Sequence, residues 1–379
     1  MKWIAIRMLT GDRVKFAGLV FGVVFSTLLI TQQLTIFVNL LLRGAAAVHE
    51  VPSADIWVMD PAGRTPDVTV PLPETSLQRV RGVPGVAWAA PLMRAGASVR
   101  TPGGALEPVT VVGVDDTALT GLPRSILLGQ RAALREPDAV FIDALGARRL
   151  FGTERDAIDQ RLELNDRRAV IRGIVDSEPT FTNSVMLYTR YAQALELLPG
   201  SRNRLSFILV RARAEADPAA VARGITAATG LRARVANDFA QDGIDYIIDN
   251  TGIPINFGIT VALGVIVGIA IVGLTFSLFI RDNIRQFGAL KAIGVTNATI
   301  RQMVAAQSAL VALIGYGLGL ALAIAFLELG RIYSDAFKGF YTPWQIPLIA
   351  AVMVAGMILL TGLIALRQVL SAEPAEVFR

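Results

Sequence analysis

Four long stretches without a single charged side chain constrain this sequence more than anything else in it: residues 16–42, 250–280, 302–327 and 339–366. A chain segment in hydrocarbon must satisfy its own backbone hydrogen bonds, so uncharged runs of this length become helices. Each exceeds the roughly 20 residues that a spanning helix needs. Placed by their densest apolar parts, the spans are expected at 16–42, 254–280, 302–327 and 342–366. The composition agrees: 53% hydrophobic and 18% charged residues, with a mean hydropathy of +0.52, lie outside the range of soluble globular chains. Between the first two stretches, residues 43–249 have ordinary mixed composition and are numerous enough to bury a core of their own.

The first stretch competes with a cleaved signal peptide, since Ala45, Ala46 and Ala47 offer small residues for cleavage. A secretory apolar region is only about 7 to 15 residues long, so a retained span is the better reading. Thr27, Thr31, Thr35 and Asn39 recur at spacing four along it, one slowly drifting face suited to hydrogen bonds with neighbouring helices.

The loops set an orientation. Lys2, Arg7, Arg13 and Lys15 precede the first span against Asp12 alone, and Arg281, Arg285, Lys291 and Arg301 follow the second against Asp282. Both segments are expected in the cytoplasm. The loop at 328–341 balances Glu328 and Asp335 with Arg331 and Lys338 and runs into Phe340, Tyr341 and Trp344, an aromatic belt expected on the outer side. Cytoplasmic segments at 1–15, 281–301 and 367–379 and an outer domain at 43–249 follow, with both termini inside. The net charge of +5 is thus a topology signal, and no nucleic-acid partner is expected.

Enzyme chemistry finds little to work with. There is no cysteine and a single histidine, His49, which excludes a thiolate or multi-histidine metal site and a hydrolase triad. His49 is read as a residue near a membrane boundary. No lysine follows a glycine, so the Gly-Lys-Ser/Thr loop that cradles nucleotide phosphates is missing. Asp115 and Asp116 stand at a strand end and are read as turn residues. No catalytic residue, metal or cofactor is assigned to this chain.

The fold class expected is an integral membrane protein with four transmembrane α-helices plus a large α+β extracytoplasmic domain inserted between helices 1 and 2. The outer domain alternates strands and helices. Strands are expected at 54–59, 85–90, 95–100, 109–114, 139–142, 162–164, 169–175, 205–210 and 232–236, with helices at 74–81, 144–151 and 218–229. Its division is read as a membrane-proximal subdomain, 45–115 plus 203–249, with 116–202 inserted. Gly264 and Gly268 in the second span, and Gly315 and Gly319 in the third, let helix backbones approach closely, within the chain or across a homodimer.

One cytoplasmic loop carries a pattern of its own. Ile280, Ile284, Phe287 and Leu290 form an apolar stripe beside Arg281 and Arg285. Gly294 stops this helix, and Thr296 or Asn297 caps the next. Such a helix suits either the membrane interface or a protein groove.

The run Arg285-Gln286-Phe287-Gly288-Ala289-Leu290-Lys291-Ala292-Ile293-Gly294-Val295-Thr296 resembles the signature after the second span of MacB/FtsX-type ABC transporter permeases, the mechanotransmission or type VII class, and is especially similar to its DevC-like branch. It departs at Gln286, where many members carry Glu. Glu373-Pro374-Ala375-Glu376-Val377-Phe378-Arg379 resembles the family's ending, and Val83-Pro84-Gly85-Val86, Val111-Val112-Gly113-Val114-Asp115 and Val170-Ile171-Arg172-Gly173-Ile174-Val175 resemble patterns of its outer domain.

The resemblance implies a non-catalytic, homodimeric permease subunit of the bacterial inner membrane, driven by a separate ABC ATPase subunit that holds the ATP and magnesium. Arg285, Gln286, Phe287, Gly288, Leu290, Lys291 and Gly294 would form its ATPase-coupling site, with Phe287 and Leu290 as docking anchors. It further implies export or extraction of substrate by movements of the periplasmic domain, working with a periplasmic adaptor (a membrane fusion protein) and a TolC-like outer-membrane duct. A membrane-anchored, signal-transmitting protein without transport is the alternative.

Overall fold

The computed structural model describes residues 2–101, 103–177, 185–198, 200 and 204–371. The C-terminal run from Glu373 lies outside them. Two helices open the chain, the short α1 (Lys2–Gly11) and the long α2 (Arg13–His49). The middle contains β1 (Ile56–Met59), β2 (Leu72–Pro73), α3 (Thr75–Arg81), β3 (Val86–Arg100), β4 (Leu106–Val114), β5 (Ile126–Leu128), β6 (Ala139–Asp143), α4 (Ala144–Phe151) and α5 (Glu154–Ala157). It continues with β7 (Arg161–Leu164), β8 (Arg167–Val175), β9 (Val185–Arg190), α6 (Tyr191–Leu197), β10 (Arg204–Leu205), β11 (Phe207–Ala212), α7 (Pro218–Thr229), β12 (Arg232–Val235) and α8 (Ala236–Asn250). The last part is helical: α9 (Ile253–Asp282), α10 (Ile284–Ala292), α11 (Asn297–Tyr333) and α12 (Gln345–Ser371). Contacts divide the chain into two compact units, one of residues 40–251 and one of 1–39 with 252–379.

In the unit 40–251 the described residues build a ten-stranded mixed sheet in the order β12-β1-β11-β3-β4-β9-β6-β8-β5, with β7 joining β3 to β8, and a two-stranded sheet of β2 and β10. Most neighbours are antiparallel, but β4 pairs β9 and β6 pairs β8 in parallel, with Val111 opposite Leu187 and Val140 opposite Ile171. Strand side chains alternate between faces, and here both faces are covered. Ile56, Val58, Ile208 and Val210 join a core with Leu77 and Val80 of α3, Ala147 of α4, Ala194 of α6 and Ile225 of α7. Trp57, Met59, Phe207 and Leu209 join a second core with Ala45 and Val48 at the end of α2 and Phe239 of α8. The rings of Trp57, Phe207 and Phe239 meet edge-on or tilted at centroid distances of 5.3 to 5.8 Å, the spacing of favourable aromatic pairs.

Local signals explain several boundaries. Asp217 caps α7 by accepting from Ala219 N and Ala220 N, with Pro218 in its first turn and Gly230 (φ +74°) ending it, the usual polarity of helix ends. Asp143 caps α4, accepting from Gly146 N at 2.9 Å, and its other oxygen accepts from Met186 N of β9 at 2.7 Å. Burial pushes its carboxyl above the usual range against these bonds.

Three sequence expectations are corrected. The strands expected at 85–90 and 95–100 are one strand, β3, whose first half pairs with β11 as far as Leu92 and whose second half pairs with β4 from Met93. Pro91 interrupts the local strand pattern, yet it stands beside this handover between partners, where a residue without an N–H is tolerated. Secondly, β5, β9 and α6 stand where no element was expected. The segment after 236 also holds the helix α8, whose buried Phe239, Ala240, Gly243 and Ile247 recur at helical spacing.

Among the described residues four helices are long and apolar enough to cross a bilayer: Arg13–His49, Ile253–Asp282, Asn297–Tyr333 and Gln345–Val369. They exceed the expected spans because charged and polar residues extend their ends. Large apolar side chains such as Leu263, Leu274, Leu313, Leu322, Leu359 and Leu363 are exposed on them, as lipid-facing positions must be.

Candidate functional site

The four packing glycines converge on the first span. A Cβ on Gly264 would sit 3.4 Å from Leu29 Cβ, and one on Gly268 would collide with Ser26 and Met357. On the third span, a Cβ at Gly315 would lie 2.5 Å from Val23 Cβ, and one at Gly319 would lie 2.6 Å from Thr27 Cβ and 2.7 Å from the Val24 carbonyl. Ser26 Oγ donates to the Gly264 carbonyl at 2.9 Å. The membrane part of α2 therefore lies in backbone-close contact with both α9 and α11.

The polar face of α2 behaves differently from its sequence reading. Thr27, Thr31, Thr35 and Asn39 are all buried, but among the described residues only Asn39 of these four hydrogen-bonds to another segment, giving Nδ2 to the Tyr341 carbonyl at 2.8 Å and accepting from Tyr341 N at 3.1 Å. Thr27 donates to Val23 O of its own helix at 2.8 Å, and the hydroxyls of Thr31 and Thr35 have no hydrogen-bond partner among the described residues. A hydroxyl crosses the interface where a glycine brings the facing backbone close, as Ser26 does at Gly264, whereas for Thr27 its own i−4 carbonyl is the acceptor.

At the opposite end the α9–α11 connection is tightly built. Asn283 closes α9, its Nδ2 donating to Phe279 O at 2.8 Å, and α10 starts at the next residue. Gly294 takes φ +96°, a conformation that favours glycine. Thr296 caps α11 by accepting from Thr299 N. Lys291 Nζ donates to Val369 O of α12 at 3.1 Å, Lys15 pairs with Asp12 at 2.6 Å and with Asp282, and Gln307 of α11 donates to Ala5 O of α1 at 2.8 Å. The first span, the connection and α12 are thus tied together at this end.

The expected docking anchors face inward in this arrangement. Phe287 is 1% exposed and belongs to the buried cluster of Phe276, Phe279, Ile280, Ile300 and Met303, with Leu290 packed against it. Gly288 is buried as well. The apolar stripe of α10 therefore finds its partner in the bundle itself. Arg285, Gln286 and Gly294 are exposed, as is the large apolar Ile293, at 83%.

The polar groups of the outer domain are used in structure. Asp115 Oδ2 accepts from Thr117 N and Ala118 N, and Asp116 accepts from Ala192 N, as turn residues do. Burial pushes the Tyr191 hydroxyl up to about 12 and Tyr188 well above the tyrosine range, while Tyr188 donates to Glu50 at 3.2 Å. Arg94 faces Asp67 at 3.1 Å, and desolvation raises the Asp67 carboxyl although the guanidinium opposes it. His49 is the exposed last residue of α2.

With this geometry in view, similarity to known proteins becomes specific. Residues 17–228 match the MacB-like periplasmic core domain, and residues 258–374 match the FtsX-like permease C-terminal region. The chain is 26% identical over 362 residues to an uncharacterized ABC transporter permease of Mycobacterium tuberculosis, covering 92% of this chain and 94% of that protein. It is 25% identical over 316 residues to the macrolide export ATP-binding/permease protein MacB of Psychrobacter cryohalolentis, covering 79% of this chain but 46% of that longer protein. The periplasmic region of MacB from Actinobacillus actinomycetemcomitans aligns at 14% identity with a TM-score of 0.39, over 54% of this chain and 96% of that one. Because the first match alone spans more than half of the sequence and the second takes up the three helices after it, the chain belongs to the MacB/FtsX family of ABC transporter permeases.

Proposed function

We propose that this permease subunit couples ATP hydrolysis on a separate ABC ATPase to movements of its outer domain that drive export or extraction of substrate. It works as a homodimer of the DevC-like branch in the bacterial inner membrane, with both termini cytoplasmic and residues 43–249 periplasmic. A periplasmic adaptor and a TolC-like outer duct complete the path, and ATP and magnesium stay on the partner. In this reading the outer domain works as the subdomain 45–115 plus 203–249 with 116–202 inserted.

The observation that carries the coupling is the exposure pattern of the α9–α11 connection. Phe287 is buried and Leu290 and Val295 pack on the bundle, yet Ile293 is 83% exposed between Gly294 and the exposed Arg285–Gln286 pair. Fully burying an isoleucine contributes about 1.5 to 3 kcal/mol, so docking Ile293 in a groove is a plausible hot spot of about 2 kcal/mol. Arg285 supplies a charge for an acidic rim, and buried Phe287, Gly288 and Leu290 with Lys291 hold the loop's shape.

The test is Ile293→Asp in the full chain, co-expressed with its ATPase and purified in mild detergent. Loss of the ATPase with unchanged membrane insertion and thermal stability is expected. Phe287→Asp serves as contrast, because it charges the bundle core and lowers stability itself. An ATPase that stays bound at wild-type stoichiometry to an Ile293→Asp, Arg285→Glu variant refutes the coupling surface.

A further inference from the structure

Two hairpins that are far apart in sequence end at one corner of the outer domain. The β3–β4 hairpin closes through Thr101 and Ala105, Thr101 N donating to Ala105 O at 2.9 Å and Gly104 taking φ +84°. The β7–β8 hairpin turns through Asn165 and Asp166, both at positive φ, and Asn165 Nδ2 is anchored on Leu197 O at 2.8 Å. Strands β3 and β7 pair only over Val99↔Leu164 and Arg100↔Glu163. Beyond that short contact the hairpin ends leave an open cleft of about 520 Å³, a size typical of small-ligand sites.

Four guanidinium groups line it, Arg100, Arg161, Arg167 and Arg168, against the two carboxylates of Glu163 and Asp166. The strand register places Glu163 directly opposite both Arg100 and Arg168. Its carboxylate is 3.9 Å from Arg100, beyond hydrogen-bond distance. Arg168 turns instead to Asp138, with Nε and Nη2 at 2.9 and 2.6 Å from one carboxylate oxygen. Neither Arg161 nor Arg167 has a carboxylate within ion-pair distance among the described residues. Arg161 shares its strand face with Glu163 and its cross-strand partners Arg100 and Arg168, while Arg167 enters the cleft from beside the hairpin turn, so two uncommitted guanidiniums and a third only loosely held line one cleft, the donors that phosphate or carboxylate oxygens take.

We propose that this cleft binds a small oxyanion-bearing ligand, gripped by Arg161 and Arg167 and assisted by Arg100. Glu163 is the built-in competitor: it occupies the middle of the arginine row and must yield Arg100 when the anion arrives. The site stands independently of the ATPase-coupling surface.

The test uses the full chain in nanodiscs of neutral phosphatidylcholine, titrated by calorimetry with inorganic pyrophosphate and separately with citrate at low salt. Saturable binding of at least one is expected, and which one binds separates a phosphate from a carboxylate ligand. Arg161→Ala with Arg167→Ala weakens it at least tenfold, whereas Glu163→Gln tightens it about threefold, a gain that no misfolded variant mimics. Absence of saturable binding, equal binding in the double variant, or binding confined to an oligoglutamate peptide, which points to an acidic protein partner, overturns the proposal.

Discussion

Gly319 and Gly317 lie on the same helix two residues apart, and the same substitution at each should have opposite consequences. A methyl group at Gly319 would stand 2.6 Å from Thr27 Cβ and 2.7 Å from the Val24 carbonyl, whereas one at Gly317 meets nothing within 4 Å. The first contact is with backbone as well as side chain, so no rotamer change relieves it. Separating carbon atoms to an ordinary contact of about 3.5 to 4.0 Å requires α11 to move roughly 1 Å away from α2. In close-packed interiors such overpacking costs about 1 to 3 kcal/mol. Replacing glycine by alanine in a helix regains about 0.5 to 1 kcal/mol at both sites, so Gly317→Ala serves as an internal control that is neutral or slightly stabilised. The gap between the two variants should be about 1 to 3 kcal/mol, or roughly 5- to 150-fold in the unfolding equilibrium. Unfolding of the purified chain by SDS titration from mixed micelles, followed by circular dichroism, measures it. Equal midpoints for Gly319→Ala and Gly317→Ala refute the claim that α2 and α11 pack backbone to backbone at this point.

Two further outcomes are open to measurement. Because the chain lacks cysteine, single cysteines report topology directly: Thr101→Cys should react with an impermeant maleimide in intact cells, and Asn283→Cys only after the inner face is exposed, so outside labelling of Asn283→Cys overturns the orientation. Burial holds the Asp67 carboxyl above its unfolded value, near about 4, despite Arg94. The folded chain therefore binds this proton more tightly, and the contribution is full below the unfolded value and lost as pH rises through the folded one. Asp67→Asn should flatten the decline in thermal stability just above about pH 4, and an unchanged pH profile shows that Asp67 does not titrate in that range.

The sequence by itself determined whatever rests on composition and nearest neighbours. Uncharged stretches can only become spanning helices in lipid, and the helices 144–151 and 218–229 were legible to the residue because Asp143, Asp217, Pro218 and Gly230 punctuate them locally. Spacing also marked Gly264, Gly268, Gly315 and Gly319, and the family signature marked the loop after the second span.

Tertiary structure alone decided how those pieces meet. The strand β9 pairs in parallel with β4, more than 70 residues away, and no local pattern announces a partner at that distance. The stripe through Phe287 and Leu290 was visible, but an apolar stripe states only that a partner surface is needed. The bundle supplies that surface, so burial passed to Phe287 and exposure to Ile293. The arginine cleft is the extreme case: Arg100 and Arg161 are unremarkable charges in sequence, and they become a site only where the pairing of β3 with β7 brings two hairpin ends to one corner.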